Sequence, residues 1–189
     1  IEPVLRGQAL DLTYTDSLAD LNPAALGSYD CVLIFANHTE ISPAQERALI
    51  EYVENRGGLA AIHCASYCFL NSPEYIALVG GQFKSHGTGV FQETIVDGEH
   101  PITKGLEPIS SWDESYVHTK HNEDRQVLAE RREGDHKEPY TWVREQGKGR
   151  VFYTAWGHDQ RTWQNEDFQH LLERGVRWAS GDWAMTAEA

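Results

Sequence analysis

The stretch that decides the fold runs from Cys31 to His63: CVLIFA (Cys31–Ala36), then SPAQ (Ser42–Gln45), then GGLAAIH (Gly57–His63). CVLIFA is apolar at every position, the mark of a strand covered on both faces, as in a parallel sheet. Ser42 supplies an N-cap, Pro43 the first helical position and Gln45 the returning arm of a capping box. The helix that follows places Ala48, Leu49, Tyr52 and Val53 on one face and stops at Gly57-Gly58. Leu59–His63 is then a second short buried strand. Strand, helix, strand in this order predicts a right-handed parallel crossover unit.

Working outward, LDLTYT (Leu10–Thr15) alternates in the manner of a strand, and Asp16–Tyr29 reads as a connection with a short helix. A helix is expected over Pro73–Val79, and strands over Val90–Val96 and Gln126–Glu130. Tyr140–Arg144 and Arg150–Thr154 flank a Gly147-Lys148-Gly149 turn and read as a hairpin. A last amphipathic helix covers Asp167–Ala179, with Phe168, Leu171, Leu172, Val176 and Ala179 inward. The expected fold class is α/β: one domain, a mainly parallel sheet with helices on both faces and an added antiparallel hairpin.

With 189 residues, 40% hydrophobic, the chain suits one domain with a real core. No apolar run approaches the ~20 residues of a membrane helix. A formal net charge of −13 argues against nucleic acid, whose phosphates call for a basic surface; its simplest meaning is solubility. Three cysteines, Cys31, Cys64 and Cys68, form neither a disulfide framework nor a zinc ribbon and fit the cytoplasm. The opening Ile-Glu-Pro, without Met, suggests a truncated start, which leaves export open.

In open α/β sheets, ligands bind beyond the carboxyl ends of the strands. Four polar clusters are expected there: Asn37-His38; His63-Cys64-Ala65-Ser66; Gly157-His158-Asp159; and, from loops, Gly80–Phe83 with His86 and Trp112–Tyr116 with His118 and His121. His63 closes an apolar strand and enters a turn of small residues, so it is the centre of the expected site. Neighbours on a strand point to opposite faces, so Cys64 shares that pocket only if the turn reorients it; inert burial is its simpler role, as for Cys68. Asp113 and Glu114 can serve as acids, bases or oxygen ligands, and His63, His86 and His158 can serve as nitrogen ligands to a divalent metal such as zinc. No HExxH spacing supports a metal. His118, His121 and His136 sit in charged segments and read as solvated. Trp112, Tyr116, Trp156 and Trp163 border the clusters and could stack on sugar rings; core packing explains them equally well.

The strings GGLAAIHCASY (Gly57–Tyr67), YIALVGGQFKSHGTG (Tyr75–Gly89), WDESY (Trp112–Tyr116) and GKGRVFYTAWGHD (Gly147–Asp159), with a terminal helix ending RWA, resemble the trehalose-utilisation (ThuA-like) family. The resemblance implies a flavodoxin-like sheet related to class I glutamine amidotransferases, with His63 rather than Cys64 at their nucleophile position. It implies a first strand and loop ahead of Ile1–Gly7, which reads as a helix tail. It also implies sugar or keto-sugar chemistry, a carbohydrate ligand, pairing with a sugar dehydrogenase and, in some members, a metal. Carried over by motif, the residues are His63, His86, Asp113, Glu114, His158 and Asp159.

The expected roles follow. His63, Glu114 and His158 are the catalytic candidates; His86, Asp113, Tyr116, Asp159 and Trp163 are the substrate-binding candidates; His63, His86 and His158 are the metal ligands. A non-catalytic sugar-binding or scaffold domain and a Cys64-dependent hydrolase or amidotransferase stand as alternatives. A homo-oligomer is compatible with all three.

Overall fold

The computed structural model describes residues 1–6 and 10–182. Gly7, the end of the expected helix tail, lies outside them; α1 (Glu2–Arg6) accounts for the rest of that segment. A short 3₁₀ turn (Leu18–Asp20) and α2 (Pro23–Leu26) follow. The crossover unit is as read: β1 (Cys31–Ile34), α3 (Pro43–Glu54) and β2 (Gly58–Ile62). Both arms of the Ser42/Gln45 capping box are formed. A 3₁₀ turn (His63–Tyr67) and α4 (Pro73–Val79) come next.

Among the described residues the sheet has seven strands in the order β1-β2-β7-β6-β5-β3-β4. These include β3 (Gln82–Ile95), β4 (Ser110–Thr119), β5 (Gln126–Glu133), β6 (His136–Gln146) and β7 (Gly149–Thr154). β1, β2 and β7 run parallel. The predicted β6–β7 hairpin is present, and the antiparallel part continues beyond it through β5 and β3 to β4. α5 (Gln160–Trp163) and α6 (Glu166–Ser180) complete the chain.

Adjacent side chains on β7 show how both faces are covered. Phe152 meets Gly175 of α6, while Tyr153 stacks on Trp142, whose indole N–H donates to the Val79 carbonyl at the end of α4 (2.8 Å). β2 is buried along its whole length. The core is continuous from Leu5 to Ala179.

Two expectations need correction. Leu10–Thr15 forms no strand; alternation makes a ladder only beside a partner, and no described strand pairs with it. The segments read as loops around His86 and Glu114 are β3 and β4, paired from Gln82↔Thr119 to Gln92↔Ser110. Their polar sequence hides a strand because most of Gln82–Val90 is exposed. This two-stranded ribbon returns across the carboxyl ends of the parallel strands.

Candidate functional site

β2 ends at Ile62, and the chain turns sharply at His63 in the left-handed region (φ 48°). That costs a non-glycine residue about 1 kcal/mol or more. The turn swings the imidazole into the crevice, where it is only 3% exposed. Nδ1 lies 2.7 Å from the Ala155 carbonyl. A carbonyl can only accept, so Nδ1 carries the proton and the lone pair of the neutral ring is on Nε2. Burial holds the His63 pKa below its ordinary value, against the opposing pull of the Ala155 carbonyl, Asp113 and Glu114.

Nε2 faces Glu114 Oε2 at 3.3 Å. The other carboxylate oxygen, Oε1, lies 3.4 Å from His158 Nδ1 and 3.6 Å from His86 Nδ1. A lone pair and a carboxylate thus meet at 3.3 Å, a repulsion that a proton or a cation between them would relieve. His63, Glu114 and His158 offer ligand atoms all within 4.8 Å of one another. Two imidazoles and one carboxylate are a set suited to a divalent cation with open positions. The residues present therefore fit a metal, with Glu114 in the set and His86, one of the three expected histidine ligands, at its rim.

The cleft is about 390 Å³ and is lined by Phe35, Ala36, Asn37, His63, Cys64, Glu114, Tyr116 and His158. Tyr116 lies against the His63 ring with centroids 4.2 Å apart and continues into Phe83 at 4.5 Å. His86 projects from β3 opposite Tyr116 in the ribbon.

Three residues expected to touch substrate sit elsewhere. Asp113 is fully buried. It accepts from the backbone N–H groups of Glu114 (2.7 Å), His158 and Gly157 (3.1 Å each) and from the Thr162 hydroxyl (2.6 Å). It ties the ribbon to the loop that carries His158. Asp159 caps α5 and is held by Arg161, whose hydrogen bonds keep its carboxyl down at about 2. Trp163 donates its indole N–H to the Gly157 carbonyl from beneath that loop (2.8 Å).

Other readings change with them. Cys64 does line the cleft beside His63, because the left-handed turn breaks strand alternation. Its thiol is pushed up to about 11, chiefly by burial, so it is protonated at neutral pH and lacks the activation a cysteine nucleophile needs. Cys68 is buried, with its thiol on the Ala36 carbonyl. His118, expected to be solvated, is buried against Glu138 and Tyr153. Trp156 is fully buried and donates to Glu93; Trp112 lies beneath Arg161. Phe35, absent from the expected site, lines the cleft while 40% exposed; the signal was its place at the carboxyl end of an otherwise covered strand. No helix among the described residues is long and apolar enough to cross a membrane.

A family model described as trehalose utilisation, ThuA, matches residues 1–179. Among solved structures, a ThuA-like protein from Bacteroides uniformis ATCC 8492 superposes with a TM-score of 0.80 at 22% identity, over 94% of this chain and 80% of that one. One from Parabacteroides merdae ATCC 43184 gives 0.80 at 21% identity, over 96% and 84%. A protein from Salmonella typhimurium described as cytoplasmic gives 0.66 at 16% identity, over 94% and 85%. At these identities the structures establish a common fold. No curated protein matches the sequence.

Proposed function

The chain belongs to the ThuA, trehalose-utilisation, family, and from that premise we propose that it is a carbohydrate-processing enzyme acting on a sugar or keto-sugar in the His63–Glu114–His158 cleft. The observation that carries this reading is the meeting of His63 Nε2 with a carboxylate whose other oxygen faces two further histidines. A purely structural cluster would pair its charges and close over them. Here His86 and His158 remain substantially exposed, with side chains 38% and 48% accessible.

The chemistry best matched to these groups is removal of a proton beside a sugar carbonyl, leading to enolisation or elimination. Glu114 is the base: one oxygen lies toward His63, and the other can hand a proton to His86 or His158. Those two exposed rings can then exchange it with solvent or pass it to a leaving oxygen. His63, its Nδ1–H committed to Ala155, presents a proton-free Nε2 of fixed direction. With a divalent cation such as zinc in the cleft, His63, Glu114 and His158 would be its ligands rather than proton carriers, and proton transfer would fall to His86 at the rim. When bound, such an ion supplies charge stabilisation to a developing oxyanion. Tyr116 and Phe35 offer faces for the C–H side of a sugar ring, and Asn37 offers hydrogen bonds to hydroxyls. A keto-sugar substrate implies a dehydrogenase upstream, and the Salmonella relative favours a cytoplasmic setting.

The test is metal content together with turnover on a panel of keto-glycosides, for the parent protein, His63→Ala and Cys64→Ala. We expect a bound divalent cation and chelator-sensitive turnover, both lost in His63→Ala and retained in Cys64→Ala. Sugar binding without turnover would assign the fold to a binding role instead. Turnover that survives His63→Ala but disappears in Cys64→Ala would overturn the assignment in favour of the cysteine.

A further inference from the structure

Directly behind the cleft lies a buried polar chain that the proposed chemistry does not use. Glu138 Oε1 accepts from the His118 backbone N–H (2.8 Å) and lies 3.1 Å from His118 Nδ1. His118 Nε2 lies 2.9 Å from the Tyr153 hydroxyl. That hydroxyl stands 2.9 Å from Ser66 Oγ and 3.0 Å from the His63 carbonyl, which Ser66 Oγ also reaches at 3.2 Å. His63, Ser66, His118, Glu138 and Tyr153 are all buried. Unmade hydrogen bonds at such depth cost about 1–3 kcal/mol each, so these groups constrain one another's positions strongly.

The chain is not a proton path into the cleft, because it ends on a backbone carbonyl, which does not take up a proton. Its terminus is instead the one residue of the cluster with a left-handed backbone. Two residues at the end of β7 grip His63 from both sides. The Tyr153 hydroxyl meets its carbonyl, and the Ala155 carbonyl meets its ring Nδ1. Ile62 is paired with Thr154 between them. The Tyr153 ring cannot readily shift, since it stacks on Trp142 at 4.2 Å and meets the His118 ring edge-on at 5.4 Å.

We propose that Tyr153 and Ser66, backed by His118 and Glu138, are positioning residues that hold His63 in its left-handed turn and thereby aim Nε2 at Glu114. The inference rests on the reading of His63 as a working residue of the cleft, yet its geometry can be read without substrate or cation. The Ala155 carbonyl fixes the ring tautomer directly, and Tyr153 and Ser66 act on it through the backbone carbonyl, by keeping the ring where that bond can form.

The experiment is a long-range ¹H–¹⁵N correlation spectrum of the histidine side chains in the protein without added metal, for the parent, Tyr153→Phe, Ser66→Ala and Thr141→Val. Thr141→Val is the control. It removes a buried hydroxyl hydrogen bond to Thr154 (3.0 Å) on the same pair of strands without touching His63. The expected result is a single Nδ1–H tautomer for His63 in the parent and in Thr141→Val, and a mixture of tautomers in Tyr153→Phe. A smaller shift in the same direction is expected in Ser66→Ala, which also carries the test if Tyr153→Phe fails to fold. An unchanged His63 signature in the folded Tyr153→Phe and Ser66→Ala proteins overturns the proposal. So does an equal change in Thr141→Val. Absence of sugar turnover in the parent would defeat the functional reading and leave this result standing.

Discussion

Asp113 Oδ1 accepts the backbone N–H of His158 at 3.1 Å, so a side chain on the ribbon fixes the position of a loop 45 residues away. The same carboxylate holds Gly157, Glu114 and Thr162, and it is fully buried. Asp113→Ala leaves three N–H groups without their acceptor and takes one of two partners from the Thr162 hydroxyl, which keeps Ser111 Oγ at 2.9 Å. We expect a loss of at least about 3 kcal/mol of stability, read as a lower urea midpoint. Asp113→Asn should lose less, because one of its two acceptor oxygens survives.

Glu114→Gln tests the opposite kind of residue. Its side chain fills the same space but removes the negative charge that faces three imidazoles. We expect zinc affinity to fall by about 100-fold or more, since loss of even an outer supporting group costs 10–100-fold. The thermal midpoint without metal should stay the same or rise. Titration calorimetry and a melting curve on one preparation check both outcomes.

Glu93, which does not line the cleft, gives a pH signature of its own. Burial pushes its carboxyl from 4.5 up to about 7, against hydrogen bonds from the Trp156 indole and the Ile109 N–H. The folded chain therefore keeps a proton that the unfolded chain releases. Stability from this group is complete below pH 4.5 and is lost as pH rises to about 7, a change on the order of 3 kcal/mol. Glu93→Gln should abolish that decline. The difference between the two urea midpoints, followed from pH 4 to 8, isolates it from the histidines, whose buried members oppose it.

Gly149 opens β7 directly against the backbone carbonyls of Val53 and Gly57, where an added Cβ has no room. Neither carbonyl belongs to a side chain that can swing away. Gly149→Ala should cost about 1–3 kcal/mol by overpacking, with a visible drop in Tm. Alanine at Gly134, whose Cβ would meet open space at a φ of 58°, should cost only about 1 kcal/mol from its left-handed backbone.

The crossover unit was readable because its signals are local: Ser42, Pro43 and Gln45 carry the helix start, and the apolar run CVLIFA marks a strand, although only Ile34 in it is buried and Phe35 is exposed at the cleft. Leu10–Thr15 carries an equally clear local pattern, but a strand is a pairing, and no described neighbour supplies one. The ribbon failed in the other direction. From Gln82 to Gly89 it packs too little to show alternation, so its pairing with β4 leaves almost no trace in sequence. That omission explains the mixed result at the site. Recognised as strand residues, Asp113 and Glu114 would have been assigned to opposite faces, one into the Gly157 loop and one into the cleft. His63 and His158 were legible because each lies next to the chain reversal that presents it; Glu114, in the middle of β4, was legible only as a carboxylate in the WDESY string. Tyr153 and His118 were not, because a buried aromatic and a buried imidazole look the same in sequence whether they fill space or hold a neighbour.

The ribbon's return across the sheet has a consequence for how this protein comes into being. His63 finds the Ala155 carbonyl 92 residues later, and Glu114 reaches both only after β3 and β4 have closed over them. Contacts of such span form late, after the loops between them have been closed at an entropic cost. By its span the cleft assembles no earlier than the β2–β7 pairing that frames it, and a copy in which those strands are unpaired holds its histidines apart. A ligand that bridges the three segments would recognise only finished molecules and would resist their unfolding in proportion to its concentration.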